Sequence, residues 1–212
     1  AGSPGLEVDG ALVTGSAGTV MLSESEHAQL VVVGSRGLGG FAGLLLGSVS
    51  GHLAAHAPCP VAVLRPAHAL RRGGGGTPAT CIVGVDDPDA SDHVLEFAFA
   101  EASRRGIHLR AVHAWTHPSP AGLAELARTD VSLDAAAEQQ ARLLAEALAG
   151  WQEKYPDVHL HADTRQDSPS RILTALSGQA DLLVVGAHHR VRRIGMALGV
   201  VNHAVLHHAL CP

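Results

Sequence analysis

The sequence predicts an α/β fold on a parallel sheet, and three observations carry that prediction. Short apolar runs of Val, Ile and Leu alternate with longer stretches at helical spacing. Clusters of Pro, Gly and Asp separate them. The chain also repeats itself, because Leu30-Val31-Val32-Val33-Gly34 returns as Leu182-Leu183-Val184-Val185-Gly186, 152 residues later. The same shift carries Gly47 onto Gly199, Val49 onto Val201, His56 onto His208, Cys59 onto Cys211 and Pro60 onto Pro212. One unit of about 150 residues therefore occurs twice.

In the first unit, Leu30 to Val33 is a buried strand, Val49 to Ala57 a helix, and Val61 to Leu64 a β-branched strand after Cys59-Pro60. Arg71 to Pro78, R-R-G-G-G-G-T-P, reads as a flexible linker. In the second unit Cys81 to Val85 is a strand, and Asp86-Asp87-Pro88-Asp89 marks the turn after it. Ser91 or Asp89 caps the next helix, whose stripe is Val94, Leu95, Ala98 and Ala102, and Gly106 ends it. Ile107 to Trp115 alternates as a second strand. Leu133 to Trp151 is helix-forming, with Ala137, Ala141, Leu144 and Leu148 on one stripe that packs on the protein's own sheet. Val158 to Ala162 follows as a strand, Pro169 to Ser177 as a helix, Leu182 to Val185 as a strand and Gly199 to Ala209 as a helix.

The offset also sets the domain boundaries. A second copy starting near Cys81 puts the start of the first about 71 residues before Ala1, and the counterpart of Val61 to Leu64 at positions 213 to 216. The expectation is thus residues 1–70 as the back half of one domain, 71–78 as linker, and 79–212 as a second domain lacking its last strand.

Composition narrows the function. With 46% hydrophobic and 17% charged residues among 212, the chain folds around a core of Ala, Val and Leu. Aromatics at 3% exclude base-stacking platforms. Fifteen Lys and Arg against twenty Asp and Glu create no field for nucleic acid or anionic lipid, so neither is an expected partner. Cys59, Cys81 and Cys211 form no C-x-x-C pair and fit a reducing compartment. Nowhere do 18 apolar residues run together, and the expectation is a cytoplasmic chain.

The most informative segment is Gly34-Ser35-Arg36-Gly37, then nine residues, then Gly47-Ser48 opening a helix: G-x2-G-x9-G-S. Glycines there let the backbone turn and approach a ligand closely. Unpaired amides of the helix's first turn, its dipole and the Ser48 hydroxyl suit a phosphate. Neither a Walker A pattern nor the Rossmann G-x-G-x-x-G is completed.

The G-x2-G-x9-G-S loop after a V-V-V strand, followed by a helix and A-P-C-P-V-A-V-L, resembles the universal stress protein family, as does Ile82 to Ser91. The resemblance implies a five-stranded parallel sheet with helices on both faces, Rossmann-like in kind. It implies a stress-response regulatory role, with ATP or AMP bound in one subclass, and pairing through last strands as a homodimer or between domains. The carried-over site is Gly34, Gly37, Gly47 and Ser48 for ribose and phosphates, with Arg36 and Val49 beside them. Asp86 matches the acidic residue after the first strand, and Val112 an adenine-lining position.

These pieces fall in different units. The second unit keeps Gly186 and Gly199 but has His189 for the second Gly and Val200 for the Ser, so nucleotide binding there is expected to be weak. Arg190, Arg192 and Arg193 read as a solvated face. The spacing of His159 with His161, His188-His189 and His207-His208 argues against a metal site, since adjacent residues diverge in direction and no H-E-x-x-H is present, and no metal is expected. Cys59 reads as a small hydrophobe rather than a redox thiol, and no serine-hydrolase elbow is present. The reading is a non-enzymatic module binding ATP, any hydrolysis being slow and incidental. The alternative is an interaction protein that binds no nucleotide and acts through dimerisation.

Overall fold

A computed structural model describes residues 5–35, 46–65, 78–87, 91–116, 133–187 and 198–212. In chain order the elements are α1 (Ala17–Ser25), β1 (Val31–Gly34), α2 (Ser48–His56), β2 (Val61–Leu64), β3 (Thr80–Gly84), α3 (Asp92–Arg105), β4 (His108–Trp115), α4 (Leu133–Leu148), α5 (Trp151–Lys154), β5 (Leu160–Gln166), α6 (Pro169–Ser177), β6 (Leu182–Val184) and α7 (Val200–His208). Strands β5, β4, β3 and β6 form one sheet in that order, and β1 and β2 form a second. All pairings are parallel, with Val83 opposite both Ala111 and Val184.

Two-residue alternation sorts the larger sheet onto two cores. Cys81, Val83, Leu109, Ala111, Leu182 and Val184 pack with Leu95, Phe99, Leu144 and Leu148 of α3 and α4. Ile82, Val112 and Leu183 turn the other way, onto Leu173 of α6 and Val205 of α7. Helices thus cover both faces, which is why the strands read as continuous apolar runs. Phe99 is completely buried and stacks on Trp151 and Tyr155 at 5.5 and 5.6 Å. On the far edge, Arg110 of β4 and Arg165 of β5 both hold the Asp163 carboxylate.

The repeat reappears bond by bond. Val31 N–H donates to the Pro60 carbonyl, and Leu183 N–H, 152 positions on, donates to that of Pro212, both at 2.9 Å. Ser25 Oγ donates to the Leu22 carbonyl at 2.5 Å, and Ser177 Oγ to that of Thr174 at 2.6 Å. Helix α1 is therefore the counterpart of α6. Sequence reading missed α1, whose run A-G-T-V-M-L-S-E-S carries only a weak apolar stripe. Between the units, the Arg65 guanidinium past β2 donates to carbonyls of α7's last turn, at 3.3 Å from Val205 and 3.4 Å from His207, and to that of Leu206.

The larger sheet has four described strands, and on its β6 edge Leu183 N–H is bonded to the Pro212 carbonyl. Three expectations need adjusting. The helix expected to run unbroken to Trp151 stops at Leu148, because Gly150 takes φ 81° before the short α5 begins. The strand expected from Val158 starts at Leu160, since Val158 N–H is turned back onto the Tyr155 carbonyl. Ser91 occupies the N-cap of α3, but its hydroxyl donates to the Asp87 carbonyl rather than accepting from the helix. Asp89, Arg36, Gly37, the pair His188-His189, Arg190, Arg192, Arg193 and the linker residues 71–77 lie outside the described residues.

Candidate functional site

At the end of β1, Gly34 is exposed and Ser35 is buried. Ser35 N–H donates to the Leu64 carbonyl at 2.8 Å, and its own carbonyl accepts Gly47 N–H at 2.7 Å. That last bond closes the neck of the loop between Ser35 and Gly47. A second tie comes from buried Ser50, whose hydroxyl donates to the Gly47 carbonyl at 3.0 Å and lies 3.5 Å from that of Ser35. The start of α2 is thereby fixed against the carboxyl end of β1.

Gly47 caps α2 in an extended conformation (φ −77°, ψ 156°) with no side-chain hydrogen bond. The first intrahelical bond is Gly51 N–H to the Gly47 carbonyl at 3.0 Å, so the amides of Ser48, Val49 and Ser50 have no helical acceptor. Ser48 itself is exposed and Val49 half-buried. Partial positive charge and donors without a helical acceptor therefore meet at one end of a nine-residue helix.

The second unit repeats the frame and changes its chemistry. Gly199 caps α7 with nearly the same angles (φ −66°, ψ 160°). Where the first unit has exposed Ser48, this one has Val200, which is 67% exposed. Where Ser50 ties the loop neck, Asn202 donates from Nδ2 to the Gly186 carbonyl at 2.6 Å. A Cβ on Gly186 would stand 3.0 Å from Val94 Cγ2, so this glycine lets α3 pack against the strand end.

Asp86 and Val112 lie in the second unit, with Gly186 and Gly199. Asp86 is exposed just past β3, next to Val85, whose N–H donates to the Val112 carbonyl at 2.9 Å. Val112 is 1% exposed and packs in the core under α6 and α7, so its side chain offers no free surface. Gly34, Gly47, Ser48 and Val49 are gathered in the other unit. The phosphate-type half and the base-type half of the expected site are thus held by different units.

Sequence reading missed Ser35, Ser50, Asn202 and His113. His113 is buried, with Nδ1 2.9 Å from the Val85 carbonyl and Nε2 2.8 Å from Gln140 Oε1. A carbonyl only accepts, so Nδ1 donates to Val85; Nε2 then accepts from the Gln140 amide turned to present its N–H₂, and the ring ties the strand end beside Asp86 to α4. The signal was available, since His113 continues the inward alternation of Leu109 and Ala111. Cys81 is inert, because burial pushes its thiol up to about 12, outweighing the nearby Arg105 charge.

Comparison with known proteins agrees with this architecture. The sequence profile of the universal stress protein family matches residues 1–65 and 79–212. A universal stress protein of Mycobacterium tuberculosis, and one of Mycobacterium bovis, are each 44% identical over 208 residues, spanning 98% of this chain and 68% of the relative. Among solved structures, a functionally unknown protein of Pseudomonas aeruginosa aligns over 94% of this chain and 66% of its own, with a TM-score of 0.59 at 18% identity. A universal stress protein of Archaeoglobus fulgidus covers 90% of this chain and 61% of its own, with a TM-score of 0.55 at 18% identity. The structural likeness establishes the fold, and the sequence matches establish membership: the chain belongs to the universal stress protein family.

Proposed function

We propose that this chain is a regulatory module of the stress response that binds an adenine nucleotide, ATP in the first instance, through the G-x2-G-x9-G-S loop of its first unit. The observation that carries the reading is the uncapped start of α2, pinned to the end of β1 by the Ser35, Gly47 and Ser50 bonds. Amides fixed in this way need no reorganisation to receive a phosphate. Ser48 adds a hydroxyl donor, while Arg36 and Gly37 belong to the same motif. In the second unit, Val200 and the Asn202 bond to Gly186 leave Asp86, Val112 and Gly199 with a weaker phosphate end. The module works by binding rather than turnover, in the cytoplasm.

The test starts with acid-denatured purified protein, analysed for released adenine nucleotide, followed by calorimetric titration of ATP. Ser48→Ala removes one hydrogen bond to a charged acceptor, about 1.5–3 kcal/mol, and weakens binding roughly 10- to 150-fold. Gly47→Val blocks the approach and abolishes it. Binding that survives Gly47→Val places the nucleotide elsewhere. No binding at millimolar ATP favours a second reading, an interaction module that pairs through a sheet edge. Val32 and Leu64 support that reading, being 51% and 46% exposed on β1 and β2.

A further inference from the structure

We infer that His52 and His56 form a two-imidazole binding site for a divalent transition-metal ion on the outer face of α2. The two residues stand four apart on the helix, the spacing that puts two imidazoles on one side, one turn from each other. Their rings are already together, with centroids 4.7 Å apart and planes inclined by 33°. Both residues are exposed, so an ion reaches them from solvent.

One ring is also oriented for ligation. His56 Nδ1 lies 2.9 Å from the His52 carbonyl, and a carbonyl only accepts, so Nδ1 carries the hydrogen. The lone pair of the neutral ring is therefore on Nε2, directed away from the helix. A backbone carbonyl that fixes tautomer and ring direction is the usual outer partner of a metal-ligating histidine. The His52 ring stands beside α1, where a Cβ placed on Gly18 would come 3.5 Å from its Cδ2.

Charge favours a cation here. His56 is in the last turn of α2, where the helix dipole is negative. The described residues of the first unit hold Glu7, Asp9, Glu24 and Glu26 against Arg65 alone, and Arg65 is engaged with α7. The second unit supplies an internal contrast. His203 and His207 of α7 also stand four apart, with ring centroids at 4.3 Å. There, however, the Arg65 guanidinium is bonded to the carbonyls of the last turn, including that of His207, and opposes a dication. The α2 pair is consequently the tighter of the two. Two imidazoles and completing waters suit nickel, copper or zinc rather than magnesium or calcium.

The experiment is calorimetric titration of the full chain, free of any affinity tag, with Ni²⁺. It is paired with electron paramagnetic resonance of Cu²⁺ added below one equivalent. One tight class of sites is expected. His52→Gln or His56→Gln weakens it roughly a hundredfold by turning a chelate into single-point binding. The double substitution adds little beyond either single one, and His203→Gln leaves the tight class in place. The copper spectrum of the unaltered chain shows two coordinated imidazole nitrogens, a readout that needs no variant. The inference is overturned if His52→Gln and His56→Gln titrate like the parent chain, if His203→Gln removes the tight class, or if the spectrum shows one nitrogen.

Discussion

Ser177→Ala should destabilise the second unit by about 2 kcal/mol, whereas its counterpart Ser25→Ala should leave that unit untouched. Ser177 is completely buried and works twice: its hydroxyl donates to the Thr174 carbonyl at 2.6 Å and accepts Leu210 N–H at 2.9 Å. Removing the hydroxyl costs the first bond, about 0.5–1.5 kcal/mol net, and strands a backbone donor, which costs about 1–3 kcal/mol if fully desolvated. Leu210 is 50% exposed, so part of the second penalty is relieved by water and the sum settles near 2 kcal/mol. Ser25 donates to the Leu22 carbonyl at 2.5 Å, but 152 residues before Leu210 stands Pro58, which has no N–H to strand. Trp115 and Trp151, the chain's two tryptophans, both lie in the second unit, so their fluorescence during urea unfolding reports that unit selectively. With a slope of about 2 kcal/mol/M, Ser177→Ala lowers the midpoint by about 1 M. A shift under about 0.2 M, or an equal shift from Ser25→Ala, refutes the assignment of the Leu210 bond.

Three further outcomes follow from particular contacts. Gly186→Ala pushes a methyl to 3.0 Å from Val94 Cγ2, so it should destabilise the unit by about 1 kcal/mol and lower the same fluorescence midpoint by about 0.5 M, and adding Val94→Ala should recover part of the loss. Thiol labelling of the folded chain at pH 8 should modify Cys59, which is half-buried, and spare Cys81, whose thiol burial holds near 12, until urea exposes it. Burial raises the Asp163 pKa, but hydrogen bonds and charges from Arg165 and Arg110 outweigh it and hold the carboxyl below its ordinary value. A depressed folded pKa means that this stabilisation is full above about pH 4, the unfolded value, and is lost as pH falls through the lower folded one. Urea midpoints of Asp163→Asn should accordingly be lower than the parent's at pH 7 and approach them as the pH falls below about 4, and parallel curves would contradict the pairing.

Most of the fold was legible because the strands are apolar on both sides. Cys81 to Val85 and Leu182 to Val185 are buried by helices on two faces, so they stand out without alternation. Pro169 and Gly106 mark a helix start and a helix end by backbone chemistry that tertiary contacts do not override. The misjudged places are those where a tertiary contact decides. Val158 looks like strand, yet the turn bond to Tyr155 directs it into the core beneath Phe99 and Trp151. Helix α1 lacks a stripe, and packing against α2 supplies what its own pattern does not.

The candidate site was legible only in its backbone half. Glycines and a helix start leave a mark because few residues replace them, and Gly47 and Gly199 adopt the same extended cap in both units. The side chains that tie each cap down leave no such mark. Ser50 and Asn202 occupy equivalent positions and both anchor a helix to the end of a strand, yet one bonds the loop neck and the other the Gly186 carbonyl. Either is an ordinary polar residue in a helix until the strand end is seen above it. The same holds for His113, whose two ring partners lie 28 and 27 residues away in sequence. A shared frame with exchanged ties separates two properties: the glycines set the backbone of each cap, and the residue three places after it sets which carbonyl at the strand end ties the helix down. In this chain the helix with a serine at both positions, Ser48 and Ser50, keeps polar groups at its open end, while the helix with Val200 and Asn202 presents an apolar side chain there.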